Sequence, residues 1–324
     1  MFNLQNNIID ICNNNYKYLL NLQNVTSIGL GFKYINSINT LEPCIHVLVE
    51  KKLPNKYISN NNLIPKQYMG LKTDVIKIGK PKFTSNDAIP QKFRPLEGGC
   101  ALGIAIRFGT GGLMFGRGTL GCIVTKTDEE NGSKSFFILS NNHVLARLNS
   151  LPIGTSIIQP NIENGGTTRD VVAYLSDFIQ LKFVTNDTNP DMRPINYVDC
   201  AIAEISNLSL TSSIINQVGK LSGYSEAILN EPVKKVGYVS GLTSGNVLTT
   251  NATLEVKVDA NRSNIFLNQI LASLPVETGD SGSIALNGSN EAIGLIFSGT
   301  DEGFSYMNDI GIVLNYLNVE LYTD

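Results

Sequence analysis

From about residue 100 onward, short apolar runs alternate with Gly, Asn and Pro, and this pattern is typical of all-β barrels and sandwiches. Six runs predict the strands of a first barrel, at 102–108, 118–126, 135–140, 155–159, 171–181 and 198–205. Five further runs predict a second barrel, at 232–240, 245–258, 265–272, 281–286 and 292–299. The last segment, 310–321, has apolar residues at mixed spacing and is predicted to be a closing helix.

The first part of the chain has a different pattern. Apolar residues near helical spacing predict an amphipathic helix to about residue 22, and the runs 25–35, 44–52 and 74–79 predict strands. Residues 80–97 carry prolines, glycines and mixed charge without periodicity, which indicates a linker. We therefore expect a small α/β N-terminal domain with its linker at 1–95 and a mainly β domain at 96–324.

Composition excludes several classes of protein. The net charge is −3 without a basic patch, so we expect no nucleic-acid partner, and no apolar run reaches the roughly 20 residues of a membrane span. The first ten residues lack the features of a secretion signal. Five cysteines form no C-x-x-C pair, and the two histidines are far apart, so we expect a reduced, cytoplasmic protein with no metal and no cofactor.

The stretch GDSGSIAL at Gly279–Leu286 carries the candidate chemistry. Glycines on both sides of the Asp280–Ser281 pair permit unusual backbone dihedrals, which can aim two N–H groups at one point. The following Asn287–Gly288 pair predicts a hairpin turn. An ordinary polar turn explains the motif equally well, so the residues that would activate a serine must decide between the two interpretations.

A serine nucleophile needs a histidine base and a carboxylate that orients it. His143 follows a predicted strand directly and suits this role, whereas His46 lies inside an alternating strand, where a histidine is usually a packing residue. Asp199 opens an apolar strand, and a carboxylate buried there requires a partner such as a histidine N–H. Asp170, just before another strand, is the alternative acid.

The segments LSNNHVLA, VDCAIAEI and GDSGS, in that order, resemble the His, Asp and Ser motifs of trypsin-like serine peptidases with the chymotrypsin fold. More narrowly, the chain resembles a bacterial group related to the plant narrow-leaf protease, with similar segments along most of its length. The resemblance implies a double β-barrel, His143 as general base, Asp199 as its acid and Ser281 as nucleophile. It also implies that the Gly279 and Ser281 amides form an oxyanion hole.

Two residues depart from trypsin's pattern: Ser283 stands where trypsin has a glycine, and Asn142 replaces the small residue before the histidine. Neither removes a catalytic group. The glycine-rich stretch 108–118 lacks the ending of a phosphate loop, and we interpret it as turns between strands.

The sequence therefore predicts a serine endopeptidase that acts on protein or peptide substrates. The alternative is a catalytically silent barrel used for binding or assembly, and an enzyme acting on esters or on itself is a third possibility. The resemblance places the substrate pocket at Pro275, Phe297, Ser298 and Gly299, without the acid that selects basic residues in trypsin, so we expect an uncharged, small to medium apolar P1 residue. Glu277, Asp301 and Glu302 are close enough in sequence to supply such a charge.

Activation and the role of the N-terminal domain are also open. In trypsin, a cleavage frees an N-terminus that pairs with the aspartate beside the serine, here Asp280. We expect Asp280 to be satisfied without such a cleavage, internally or with the N-terminal domain as regulator. That domain would act as a regulatory contact or mediate homo-oligomer formation.

Overall fold

The structure is a computed structural model, and it describes residues 2–36, 38–82, 92–107, 113–114 and 116–324. Four α-helices lie in these ranges: α1 (Phe2–Asn14), α2 (Lys17–Leu20), α3 (Asn142–Leu145) and α4 (Ile310–Leu317). The described residues also form 26 strands, many of them short: β1 (Val25–Ile35), β2 (Ile38–Val49), β3 (Gln67–Tyr68), β4 (Leu71–Lys77), β5 (Pro81–Lys82), β6 (Ala101–Ile104), β7 (Ile106–Arg107), β8 (Leu113–Met114), β9 (Arg117–Thr119), β10 (Cys122–Thr127), β11 (Lys134–Ser140), β12 (Ser156–Ile158), β13 (Val171–Phe178), β14 (Val184–Thr185), β15 (Ile195–Asn196), β16 (Ala201–Ile205), β17 (Ile214–Ile215), β18 (Gly219–Lys220), β19 (Gly223–Tyr224), β20 (Pro232–Gly237), β21 (Gly241–Lys257), β22 (Arg262–Ala272), β23 (Ile284–Leu286), β24 (Glu291–Thr300), β25 (Ser305–Asp309) and β26 (Glu320–Leu321).

The first barrel is an antiparallel sheet in the order β26-β10-β11-β16-β13-β12-β6-β9. The chain runs directly from β9, which pairs with β6, into β10, which pairs with β11, so one continuous segment closes the sheet into a barrel. Alternate residues point inward, and their apolar side chains fill the interior. The filling residues include Leu102, Ile123, Ile138, Ile157 and Ala203.

The second barrel is a closed ring in the order β20-β21-β22-β25-β24-β23, with β23 returning to β20. Its interior holds apolar side chains from successive strands, among them Val233, Val247, Ile270, Ile293 and Met307. The sequence predicted five of its six strands. It missed β25, in which Ser305, Asn308 and Asp309 interrupt the apolar pattern although all but Asp309 are buried.

A shared apolar cluster joins the two barrels. Val124 and Leu139 from the first barrel pack in one cluster with Ile284 and Leu295 from the second. The predicted closing helix is confirmed as α4, and its buried face, which includes Val313 and Leu317, joins the same cluster. This packing fixes the barrels relative to each other, so residues at the ends of their strands meet at defined distances.

The N-terminal segment extends the second barrel. β1 pairs antiparallel with β21 and with β2, and β2 pairs parallel with β4, so these strands belong to the same sheet as the second barrel. The apolar face of α1 packs against these strands. The predicted small α/β element is therefore present, although its helix is split into α1 and α2. The boundary between residues 95 and 96 stays a prediction, since half of the predicted linker, 83–91, lies outside the described residues.

Two smaller predictions can also be compared with the fold. The turn at Asn287–Gly288 joins β23 to β24 as predicted. Of the glycine-rich stretch 108–118, residues 108–112 and 115 lie outside the described part, so its interpretation as turns stays a prediction; β8, within the stretch, pairs antiparallel with β7. In the described ranges, no helix combines the length and apolarity that a membrane crossing requires.

Candidate active site

His143 lies in α3, a single helical turn that follows β11 directly. Val144 and Leu145, the next two residues, are buried in the core of the first barrel and anchor this turn. The His143 side chain stays 13% exposed. The sequence therefore places a histidine on a rigid support at the end of a barrel strand.

Asp199 faces the His143 ring. Ser140 pairs with Ala201 between β11 and β16, which brings the residues shortly before β16 close to those shortly after β11. The distance from His143 Nδ1 to Asp199 Oδ2 is 2.5 Å, and the His143 amide donates to Asp199 Oδ1 at 3.1 Å. A carboxylate only accepts hydrogen bonds, so Nδ1 carries the proton and Nε2 is the basic nitrogen. The structure therefore places this histidine against this acid, while their catalytic roles and the expected contact of His143 with the Ser281 hydroxyl stay predictions.

The backbone of Asp199 is held from both barrels. Its amide donates to Asn308 Oδ1 at 2.9 Å, and its carbonyl accepts from Asn141 Nδ2 at 2.8 Å. Asn308 lies on β25 of the second barrel, where its own amide group donates to Gln269 Oε1 at 2.6 Å. The side chain of Asp199 is fully buried. Sequence reasoning missed Asn308, because an asparagine in an unpredicted strand gave no signal.

The alternative acid, Asp170, lies elsewhere. Its carboxylate binds Lys92 Nζ at 2.5 Å and the Thr167 hydroxyl at 2.7 Å. These two hydrogen bonds lower the pKa of Asp170 to about 2. Asp170 therefore fastens residues just before the first barrel and does not contact His143 in the described structure.

The second histidine, His46, is a buried packing residue. Its ring lies across Gly31, where any Cβ would come within 2.4 Å of the ring atoms. Nδ1 lies 2.8 Å from Thr249 Oγ1, and Nε2 lies 2.8 Å from the carbonyl of Phe32. Loss of hydration on burial lowers the pKa of His46 below its ordinary value, so the ring is neutral at pH 7.

His46 also belongs to a possible metal-binding group with Cys44 and Asp74, whose ligand atoms lie within 4.8 Å of one another. Both ring nitrogens of His46 already have hydrogen-bond partners, Thr249 and the Phe32 carbonyl. A metal ion would need a free ring lone pair. The His46 ring as placed is therefore engaged in hydrogen bonds that a metal ion would have to replace.

Ser281 lies in a turn with the backbone that the glycines predicted. Gly279 has φ +116° and Gly282 has φ +94°, conformations that residues with side chains rarely adopt. An ideal Cβ on Gly282 would lie 2.1 Å from Ser140 Oγ, which places this turn against the end of the strand that carries His143. Ser281 is 5% exposed.

The surroundings of Gly118 also show that the serine turn lies close to the helical turn that carries His143. An ideal Cβ there would lie 2.4 Å from Val144 Cγ1 and 3.1 Å from the Ser281 carbonyl oxygen. The backbone of Ser281 and the neighbour of His143 therefore lie on two sides of one glycine. The fold brings the serine turn to the His143–Asp199 pair at the junction of the barrels.

Thr119 holds the carbonyls of this turn. Its amide donates to the Ser281 carbonyl at 2.8 Å, and its hydroxyl donates to the Gly279 carbonyl, also at 2.8 Å. Within the described ranges the amides of Asp280, Gly282 and Ser283 donate to carbonyls, whereas those of Gly279 and Ser281 have no protein acceptor. An oxyanion hole needs two such unused donors. Sequence reasoning missed Thr119, which lies 160 positions before Gly279.

Asp280 is satisfied internally, by a buried lysine. Lys235 Nζ lies 2.8 Å from Asp280 Oδ2, and both side chains are fully buried. The carboxylate also accepts from the amides of Val239 and Ser240 at 3.2 Å and of Glu277 at 2.9 Å. Burial lowers the pKa of Lys235 from its ordinary value, and the Asp280 charge opposes that shift. The sequence indicated that Asp280 needed an internal partner, but not that Lys235 supplies the charge.

The four predicted pocket residues have different environments. Pro275 is exposed, and its ring lies 3.9 Å from the Cβ position of Gly303 in the β24–β25 turn. The Phe297 ring packs in the core, 4.8 Å from the Phe266 ring between centroids, so only its backbone is available to a cleft. Ser298 is buried, and Gly299 pairs with β5. Their role as a pocket stays a prediction.

The two antiparallel barrels, with His143 and Asp199 from one and Ser281 from the other, form a chymotrypsin-like double β-barrel, the fold that the resemblance implied. Among solved structures, the chain is similar to Thermobifida fusca protease A (16% identity, TM-score 0.47), Cellulomonas bogoriensis chymotrypsin (17%, 0.46) and Nocardiopsis protease (18%, 0.48). Each match covers 70% of this chain and 98% of the other. No protein-family model and no curated protein matches the sequence.

Proposed function

We propose that the protein is a serine endopeptidase, with Ser281 as nucleophile, His143 as general base and Asp199 as the acid that orients the base. The observation that carries the proposal is the 2.5 Å contact between His143 and the buried Asp199 carboxylate, next to a serine turn with two unused amides. A barrel used only for binding has no need for this set of groups.

The geometry supports an acyl-enzyme mechanism. Nε2 of His143 accepts the Ser281 hydroxyl proton as the oxygen attacks the carbonyl carbon of the substrate. The resulting imidazolium is stabilised by the Asp199 carboxylate, and the Gly279 and Ser281 amides donate to the oxyanion. The same Nε2–H then protonates the leaving amine. Water repeats the sequence on the ester of Ser281, and the enzyme is restored.

We propose an uncharged, small to medium apolar P1 residue. Pro275 offers no negative charge, and a cation that enters an uncharged pocket loses hydration without compensation. Glu277, Asp301 and Glu302 are the nearby acids that would contradict this preference, and Glu302 forms an ion pair with Lys77 at 2.8 Å. A peptide library tests it: dominant cleavage after lysine or arginine, lost on mutating Glu277 or Asp301, would show that the preference is basic.

The second candidate function is a silent barrel for binding or assembly, with the N-terminal segment as a regulatory or homo-oligomeric contact. Hydrolysis of an apolar peptide library separates the two: the peptidase cleaves it, and Ser281→Ala does not. Equal, negligible cleavage by both proteins would favour the silent barrel.

We further propose a cytoplasmic location, because all five cysteines are free and buried. We also propose that the chain belongs to the narrow-leaf-related group.

A further inference from the structure

One edge of β24 passes directly beside the Ser281 turn. Along this edge β24 pairs with β23 up to Leu295, and Ile296 then exchanges two backbone hydrogen bonds with the turn. Gly282 donates to the Ile296 carbonyl at 2.8 Å, and Ile296 donates to the Ser283 carbonyl at 2.9 Å. Beyond Ile296 the strand continues to Thr300. Such an edge can bind an extended peptide as an added strand, here next to Ser281.

The chain's own strand β5 occupies the far part of this edge. Gly299 is opposite Lys82 and Thr300 is opposite Pro81, in antiparallel register. The Thr300 amide donates to the Phe304 carbonyl at 2.9 Å, on the β25 side. Because successive residues of a strand direct their N–H and C=O groups to opposite sides, those of Gly299 face Lys82. Pro81, which has no N–H, lies opposite Thr300, whose backbone needs no hydrogen-bond donor from β5.

Residues 77–79 hold β5 in this position. Ile78 is fully buried in the same cluster as Phe297, and its amide donates to the Val49 carbonyl at 3.0 Å. Lys77 forms an ion pair with Glu302 in the β24–β25 turn, at 2.8 Å. Gly79, with φ +77°, lies so close to this turn that its Cβ position is 3.1 Å from Glu302 Cγ. The N-terminal segment is therefore fastened to the strand that borders the candidate active site.

We propose that Pro81–Lys82 occupies the peptide-binding edge of the candidate active site and competes there with substrate. This inference rests on the proposed function. Since β5 is antiparallel to β24, its carboxyl end points along the edge toward Ile296 and the Ser281 turn. Gly299, its partner, is three residues from Ile296, about 10 Å along the strand. β5 thus has the direction and position of the amino-terminal half of a substrate, and the N-terminal segment lowers the affinity for substrates.

The test is Lys82→Pro in the full-length chain, which removes the N–H that faces the Gly299 carbonyl. Lys52→Pro is the matched control, because Lys52 lies in an exposed loop of the same segment and its amide has no acceptor among the described residues. Two substrates are compared: a tetrapeptide anilide with an apolar P1 residue, which needs the edge, and a single-residue ester, which does not. Labelling of Ser281 by a fluorophosphonate measures the reactivity of the Ser281 hydroxyl. Hydrogen exchange of a fragment containing Gly299 measures how firmly β5 is paired with the edge of β24.

The proposal predicts that Lys82→Pro lowers KM for the tetrapeptide about two- to tenfold, the effect of losing one backbone hydrogen bond, with kcat unchanged. Hydrolysis of the ester and labelling should equal those of the wild type, and exchange at Gly299 should be faster. An unchanged KM for the tetrapeptide, or unchanged exchange, with labelling intact would overturn the inference alone. Absence of labelling and hydrolysis in the wild type and both variants would overturn the proposed function, and the inference with it.

Discussion

Lys235→Met should be strongly destabilising, because it leaves the Asp280 carboxylate buried without a countercharge. Both side chains are fully buried, and three amides and the Ser240 hydroxyl would remain as partners of the carboxylate. Removing one partner of such a pair costs about 3–5 kcal/mol, a large part of the 5–15 kcal/mol that keeps a typical domain folded. Methionine retains the unbranched shape of the lysine side chain, so the loss is that of the charge.

The free energy of unfolding can be measured by urea denaturation with circular dichroism, since the chain has no tryptophan. Lys234→Met is the control: Lys234 is on the same strand but is half-buried, and we expect a change below about 0.5 kcal/mol. The double variant Lys235→Met with Asp280→Asn should regain a good part of the loss, because no unpaired charge remains.

Equal destabilisation by Lys235→Met and Lys234→Met would refute this reasoning, and so would a double variant that regains none of the lost stability. The pair should matter for the site as well, because Asp280 is the neighbour of Ser281. At a temperature where Lys235→Met remains folded, it should react with a fluorophosphonate more slowly than the wild type. An unchanged rate would mean that the turn keeps its shape without the ion pair.

Three further predictions concern the candidate site and the core. Ser281→Ala and His143→Ala should each lower peptidase activity about 10⁴-fold, and the double variant should lose little more; additive losses would show that the two residues serve separate steps. Gly282→Ala should lower both activity and stability, because its φ is +94° and the new Cβ would meet Ser140 Oγ and the Thr119 carbonyl, whereas Gly288→Ala, with open space around it, should be near neutral; equal effects would contradict the steric argument. The lowered pKa of His46 means that the unfolded chain binds a proton that the folded chain does not, so stability should fall below about pH 6.5 by at most about 1.4 kcal/mol per pH unit; His46→Gln should remove this slope and leave labelling of Ser281 intact, and a persistent slope would assign it to another group.

The sequence predicted the strands well wherever apolar residues alternate without interruption. Each of the eleven predicted runs overlaps a strand of one of the two barrels, and the predicted closing segment contains α4. β25 was missed because Asn308 and Asp309 look like loop residues. Their places are set by distant partners: Asn308 pairs with Gln269 and Asp309 with Gly294 in the same barrel, and the Asn308 side chain accepts from the Asp199 amide. The pairing of β1 with β21 in one sheet could not be predicted either, because residues that pair more than 200 positions apart leave no local pattern in the sequence.

The residues of the candidate site were also predicted only in part. The Gly279–Gly282 turn and the choice of His143 and Asp199 could be inferred from local context and resemblance. Thr119, Asn308 and Lys235, which hold the turn and the acid, could not, because each acts through a contact distant in sequence. A lysine in an apolar strand was the one available signal: Lys235 lies where a strand residue should point inward, and an inward lysine requires a buried acid.

The central claim is that Ser281 is an activated nucleophile, and labelling with a fluorophosphonate followed by mass spectrometry of the digested protein tests it most directly. The wild type should carry one adduct, on Ser281, and Ser281→Ala should carry none. His143→Ala should react far more slowly, because no base would accept the hydroxyl proton. Absence of an adduct on Ser281 in the folded wild type, or an adduct formed at the same rate without His143, would contradict the claim.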